Sequence, residues 1–124
     1  MVTIPIRVKR AYAPVADDDG YRVLVDRLWP RGLSKDQLQL DAWLRDLAPS
    51  AALRTWFNHE PDKWPEFRQR YFRELAGRRQ QLAELVAKAG NSHLTLVYAA
   101  SDELYNNAVA LKEYLEATIS GSNS

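Results

Sequence analysis

The chain has 124 residues, a formal charge of +1, and 46% hydrophobic and 27% charged residues, a balance typical of one soluble globular domain. A charge near zero excludes a global field that attracts nucleic acid or an anionic membrane. Because the sequence has no cysteine, it excludes disulfides, thiolate catalysis and cysteine-bound metal sites, and it suits a cytoplasmic location. No apolar run approaches the roughly 20 residues that cross a bilayer, so no membrane partner is expected.

Three segments of the sequence predict β-strands. Alternating apolar residues indicate a first strand over residues 4–8, and Pro5 places its early part at a sheet edge. An Asp-Gly turn at residues 19–20 introduces a second strand, predicted from Tyr21 to Asp26. The third and clearest strand is Leu94 to Tyr98.

A helix is predicted soon after Gly32. Ser34 and Gln37 fit a capping box, and Asp41 is a second candidate cap. Four apolar residues then recur at helical spacing and predict an inward helix face: Leu40, Trp43, Leu44 and Leu47. Pro49 is expected to end this helix.

Three further helices are predicted along the second half of the chain. Ser50 is expected to cap a short helix, and Asp62 a long one that ends at residues 90–91 and tolerates Pro65 in its first turn. One apolar stripe predicts the buried face of the long helix: Phe67, Tyr71, Leu75, Leu82 and Val86. Asp102 is expected to cap the last helix, whose predicted inward face is Leu104, Ala108, Leu111 and Leu115.

These elements predict an α/β fold, with a small, mostly parallel sheet of about three to four strands flanked by helices. Strands separated by long helical stretches must pair through crossovers, which favours parallel pairing. We expect a single compact domain over residues 1–119 and a flexible tail over 120–124. If strands two and three are parallel, the loops at residues 26–32 and 101–107 open at the same sheet edge, where α/β proteins build their sites.

The polar residues of these two loops predict an anion-binding site. Arg27 and Arg31 offer charge-assisted hydrogen bonds, while Ser101 and Asn106 offer hydroxyl and amide groups. The last helix begins nearby, and its first N–H groups carry partial positive charge. Phosphate or carboxylate therefore suits the site better than a neutral ligand, with Asp102 capping the helix or serving as a weak acid–base group.

Structural roles for the same residues stay open. Arg27 and Arg31 would tie the two loops together if they paired with acidic residues of either loop: Asp26, Asp102 and Glu103. Trp29 would stack on a ligand in one interpretation and plug the hydrophobic space beneath its loop in the other.

Other kinds of site have little support in the sequence. His59 and His93 are not at a metal-ligand spacing, so no metal is predicted. Phosphate-binding and dinucleotide-binding glycine motifs are absent, and no cofactor is predicted. The arginines of the long helix are spread around it and diluted by glutamates, so we expect no nucleic-acid partner. No oligomeric state follows from the sequence.

Several stretches together resemble the YeaO-like branch of the domain of unknown function 488 family. The signature is Arg22-Val-Leu-Val-Asp-Arg-Leu-Trp-Pro-Arg-Gly32. Other matching stretches follow along the chain: Trp43-Leu-Arg-Asp-Leu-Ala-Pro-Ser50, Leu53-Arg-Thr-Trp-Phe57, Trp64-Pro-Glu-Phe67 and Leu94-Thr-Leu-Val-Tyr-Ala-Ala-Ser-Asp102. The resemblance runs roughly from Ile6 to Leu115 and implies an intracellular α/β protein, without an established activity.

The chain departs from its relatives at two places. Related branches have a cysteine near the end of the third strand and a Cys-His-Arg motif at the next helix, where this chain has Tyr98-Ala99 and Tyr105-Asn106-Asn107. Thiol chemistry therefore does not transfer. Close YeaO-like relatives often have a histidine where this chain has Tyr105, which removes a general base.

Three hypotheses follow from the sequence. The favoured one is a protein that binds an anionic small molecule between the two loops, with an enzyme acting on that molecule left open. The second is a nucleic-acid-associated or regulatory protein, and the third is a non-catalytic interaction module whose arginine–tryptophan loop is structural.

Overall fold

The computed structural model describes residues 5–90 and 92–121, which contain four strands, all parallel, and five α-helices. The strands are β1 (Ile6–Arg10), β2 (Tyr21–Leu24), β3 (Ala42–Trp43) and β4 (Leu94–Tyr98), in the spatial order β1-β4-β2-β3. The helices are α1 (Lys35–Leu38), α2 (Ala51–Phe57), α3 (Trp64–Ala76), α4 (Arg79–Ala89) and α5 (Asn107–Gly121). The predicted α/β class with a small parallel sheet is confirmed.

Strand β4 lies between β1 and β2 and is buried along its whole length. A strand that is buried on both faces has a continuous run of apolar residues, which is why this segment predicts a strand more clearly than any other in the sequence. Strand β1 lies at an edge, where Ile6 is paired with Leu94 and Arg10 with Tyr98. The edge position expected from Pro5 is confirmed, and its carbonyl accepts the Leu94 N–H at 2.9 Å.

Hydrophobic side chains cover both faces of the sheet. The larger cluster packs one face, including Val23 and Leu96, against buried residues of α2, α3, α4 and α5. The smaller cluster lies on the opposite face, around Leu24 and Val97, and is covered by Leu38 of α1. Neighbouring strand residues belong to different clusters because successive side chains of a strand point to opposite faces.

Residues 40–47 do not form the predicted helix. Ala42 and Trp43 form β3, which is paired in parallel with β2, and a 3-10 turn follows at Arg45–Leu47. Asp41 is not a helix cap, because its carboxylate accepts the Arg22 N–H at 2.8 Å and fastens the start of β3 to β2. The sequence thus missed one strand of the sheet.

The predicted long helix is two helices, α3 and α4, which are separated at Gly77 and Arg78. Asp62 lies in a 3-10 turn before α3 and is not its cap, whereas Pro65 does lie in the first turn of α3. Ser34 and Ser50 cap α1 and α2 as predicted, since their hydroxyl groups accept the Gln37 and Leu53 N–H groups at 3.1 Å.

The last helix begins later than expected. Leu104 precedes α5 and is 69% exposed, so its predicted inward position is wrong, whereas Ala108, Leu111 and Leu115 are buried. Helix α5 extends to Gly121, and residues 122–124 of the predicted tail, like Ile4 of the predicted first strand, lie outside the described residues. None of the helices in the described ranges is long and apolar enough to cross a membrane.

Candidate functional site

A cleft of about 580 Å³ opens at the carboxyl-terminal ends of β2 and β4. Its walls are the segment after β2, the segment after β4, the start of α5, and α2 with the loop that follows it. Strands β2 and β4 pair in parallel, so both chain segments leave the sheet at this edge. The two loops meet as the sequence predicted, because Arg31 and Asn106 line the same cleft.

Three arginines line the cleft: Arg27, Arg31 and Arg54. Within residues 5–90 and 92–121, none of them forms a salt bridge. Arg27 makes one long contact from Nε to the Pro49 carbonyl, at 3.4 Å. Arg27 and Arg31 therefore form no ion pair, within these ranges, with the carboxylates that the sequence offered as alternative partners.

The loop that carries Arg27 and Arg31 is fixed by aromatic side chains. Trp29 donates from Nε1 to the Leu33 carbonyl at 2.6 Å and lies edge-on against Trp43, with ring centroids 5.3 Å apart. The Tyr12 hydroxyl donates to the Arg31 carbonyl at 2.9 Å. Trp29 packs against the smaller hydrophobic cluster, as the plug interpretation expects, and it also lines the cleft.

Asp26 holds the two loops together at the floor of the cleft. Its Oδ2 accepts the Ala99 N–H at 2.8 Å, and its Oδ1 accepts a hydrogen bond from Asn107 Nδ2 at 3.1 Å. Burial raises the pKa of Asp26 above its ordinary value, although these two hydrogen bonds and the nearby charge of Arg54 act in the opposite direction. Asp26 is therefore a half-buried carboxylate whose pKa lies above the ordinary value of aspartate.

The start of α5 differs from the prediction. Asn106 is the residue before the helix, and its Oδ1 accepts the Val109 N–H at 2.9 Å. Asp102 is therefore not the cap of α5. Its carboxylate accepts the Tyr105 and Leu104 N–H groups of the preceding turn, and these two bonds lower its pKa.

The six residues predicted to bind a ligand divide into two groups. Four line the cleft: Arg27, Trp29, Arg31 and Asn106. Ser101 and Asp102 lie in the turn before α5, outside the lining residues. Asn106 is 3% exposed and donates to the Asp102 carbonyl besides capping α5, so its polar atoms serve the fold.

The loop after α2 brings two residues with positive φ to the rim of the cleft. Asn58 has φ +48° and His59 has φ +54°. Asn58 follows the last turn of α2 and donates its N–H to the Arg54 carbonyl, an ordinary role for asparagine at a helix end. Both residue types adopt positive φ more often than most other non-glycine residues do.

The residues predicted to bind a ligand leave out several polar residues of the cleft, among them Asp26, Arg54 and Asn58. Asp26 had a usable signal, because it directly follows a buried strand. Arg54 had no such signal in the sequence, because it is an exposed position of α2 that faces the sheet edge only through the packing of that helix.

The fold and the cleft define this chain as a parallel α/β protein with an arginine-lined pocket at the carboxyl ends of its strands. The family model described as the inactive DUF488-N3 subclade matches residues 5–123, so the chain belongs to the DUF488 family. The YeaO-like resemblance expected from the sequence is thereby confirmed.

Two relatives illustrate the similarity. The chain is 42% identical over 112 residues to the uncharacterized protein YeaO of Escherichia coli (strain K12), an alignment that covers 90% of this chain and 97% of that protein. It is also 42% identical over 110 residues to the uncharacterized protein Rv3073c of Mycobacterium tuberculosis (strain H37Rv), covering 89% and 92% of the two chains. No solved structure matches the chain.

Proposed function

We propose that the protein binds an anionic small molecule, a phosphate or a carboxylate, in the cleft at the ends of β2 and β4. The observation that carries this proposal is the lining of the cleft by three arginines, none of which forms a salt bridge in the described part of the chain. Guanidinium groups bind oxyanions through paired, charge-assisted hydrogen bonds.

The charge balance of the cleft supports an anion. Among the described residues that line it, three guanidinium groups face a single carboxylate, that of Asp26. The amino-terminal end of α5 adds partial positive charge, because Asn106 and Asn107 bring the first turn of that helix to the cleft. An anion would neutralise charges that the fold itself leaves unpaired.

Binding without catalysis is the form of the proposal that we favour. The matching family model describes an inactive subclade. Tyr105 agrees with this description, because the family resemblance implies a histidine there in close relatives, and tyrosine removes that general base from the segment before α5. We also propose a cytoplasmic location, which suits a sequence without cysteine.

The arginines of α3 give less support to a nucleic-acid partner. Arg68 forms a salt bridge with Glu113, and Arg70 forms one with Glu66. Arg70 also lies over the ring of Trp56, with its guanidinium carbon 4.3 Å from the ring centroid. Arg68 and Arg70 are thus paired with carboxylates, whereas the three arginines of the cleft form no salt bridge among the described residues.

Calorimetric titration with inorganic phosphate, pyrophosphate and citrate tests the proposal. We expect at least one of these anions to bind the wild type, and Arg54→Ala to weaken that binding by about tenfold or more, since hydrogen bonds to charged groups are among the stronger ones. Arg79→Ala is the matched control, because it removes the same exposed charge from α4, away from the cleft.

Two results would contradict the proposal. One is the absence of binding of any of these anions to the wild type at low ionic strength. The other is an equal loss of affinity in the Arg54 and Arg79 variants, which would indicate a general effect of net charge.

A further inference from the structure

We propose that the ligand is an oxyanion that still carries an O–H group, of which hydrogen phosphate is the simplest member, and that Asp26 selects it by accepting the hydrogen bond of that group. This inference rests on the proposed function of the cleft and names the class of anion that it takes.

Among the described residues that line the cleft, one is acidic, Asp26, and three are arginines. A cleft that only attracted negative charge would do so better without this carboxylate. Its presence in the wall therefore needs a reason, either in the fold or in the ligand.

The two groups that hold Asp26 leave it able to accept and not to donate. The Ala99 backbone can only donate its N–H, and it does so to Oδ2 at 2.8 Å. Asn107 is oriented by a second bond, from Nδ2 to the Val25 carbonyl at 2.7 Å, so the amide group that meets Oδ1 is also a donor. Both contacts favour the ionised carboxylate.

The carboxylate keeps unused acceptor capacity. An ionised carboxylate has about four lone-pair sites on its two oxygens. In the described part of the chain, one donor reaches each oxygen. The remaining lone pairs are available to a ligand in the cleft that Asp26 lines, and its raised basicity makes it a better acceptor of a ligand's proton.

This geometry distinguishes between oxyanions of similar shape. A sulfate ion bears no proton at neutral pH, so an oxygen placed against Asp26 would repel the carboxylate. Hydrogen phosphate has the same tetrahedral shape and offers an O–H, which turns the same approach into a charge-assisted hydrogen bond. A site that hydrogen-bonds a ligand O–H rejects analogues that lack it.

The competing explanation is that Asp26 only joins the ends of β2 and β4 to the start of α5. That role requires the bonds to Ala99 and Asn107 and gives no preference between anions of equal charge. The two explanations therefore differ in a property that can be measured on the wild-type protein.

Calorimetric competition at pH 8 and constant ionic strength, where hydrogen phosphate is the main phosphate species, tests the inference with inorganic phosphate, sulfate and monofluorophosphate. Monofluorophosphate matches hydrogen phosphate in charge and approximate size but has fluorine in place of the hydroxyl group. We expect the wild type to bind phosphate about tenfold or more tightly than either of the other two ions. In Asp26→Asn, which keeps the size of the side chain, this preference should fall to within about threefold.

Three other outcomes would contradict the inference in whole or in part. Equal binding of the three ions by the wild type overturns the inference and leaves the proposed anion site standing, and it needs no variant that folds. Binding of none of them overturns the inference, and it overturns the proposed function as well if pyrophosphate and citrate also fail to bind. A preference that persists in a folded Asp26→Asn variant overturns the role assigned to Asp26.

Discussion

At the start of β2, a buried ion pair shows how single residues stabilise this fold. Asp19 and Arg22 are 2% and 3% exposed, and Arg22 Nη1 donates to Asp19 Oδ2 at 2.7 Å. Lys9 and the Ala16 N–H also donate to this carboxylate. Burial alone would raise the pKa of Asp19, but the bonds from Ala16, Lys9 and Arg22 outweigh it and hold the pKa below its usual value.

Replacing Asp19 is expected to destabilise the protein strongly. Asp19→Asn should lower the free energy of unfolding by about 3 kcal/mol at pH 7, because it leaves the buried Arg22 guanidinium without its counter-charge. Urea denaturation monitored by circular dichroism measures this change. Asp17→Asn is the control, since Asp17 is exposed in the same turn. Equal effects of the two substitutions would contradict the role of the ion pair.

The same ion pair predicts a pH dependence of stability. An aspartate has a pKa of about 3.9 in the unfolded chain, and Asp19 has a lower one in the folded protein. Its contribution is therefore complete above about pH 4 and is lost as the pH falls toward the folded-state pKa. Unfolding free energies measured from pH 6 to pH 2.5 should decline more steeply in the wild type than in Asp19→Asn.

At the scale of the elements, β4 and the serine caps of α1 and α2 could be predicted, because each has a local signal. Residues 40–47 could not. Leu40 and Trp43 pack with the smaller hydrophobic cluster, whereas Leu44 and Leu47 pack with the larger one on the other face of the sheet. These four residues have helical spacing by chance, because a short strand here sends side chains to both hydrophobic clusters. A strand of two residues is too short to show the alternation of apolar and polar residues that predicts a strand.

The site was predictable to a similar degree. The meeting of the loops that contain Arg31 and Asn106 follows from the parallel pairing of their strands, which the sequence pattern indicates. The position of Arg54 depends on how α2 packs against the sheet and α3, and no local pattern encodes this. The helix start was missed because Asp102 and Asn106 are both good capping residues four positions apart.

The start of α5 gives a prediction at this scale. Asn106→Ala should lower the free energy of unfolding by about 1 kcal/mol, since it removes the bond to the Val109 N–H. Asp102→Ala should cause a smaller loss, because its carboxylate serves only the turn before the helix. Urea denaturation of both variants measures the difference, and a larger loss for Asp102→Ala would contradict the assignment of the cap.

For the whole molecule, the cleft is built on a packed aromatic cluster. Phe57 contacts Phe67 with ring centroids 4.4 Å apart, and Trp64 contacts Tyr105 at 5.4 Å. These contacts connect α2, α3 and the segment before α5, which are three of the chain segments around the cleft. The arginines and Asp26 therefore project from a braced framework, which reduces the entropic cost of ordering the site around a ligand.

The most direct test of an anion site at the ends of β2 and β4 is an NMR titration of ¹⁵N-labelled protein with inorganic phosphate. We predict saturable amide shifts at Ala99, Asn107, residues 26–29 and Arg31, with α4 unaffected because it lies away from the cleft. Shifts confined to the arginines of α3 and α4, or no saturable shift in the cleft, would contradict the account.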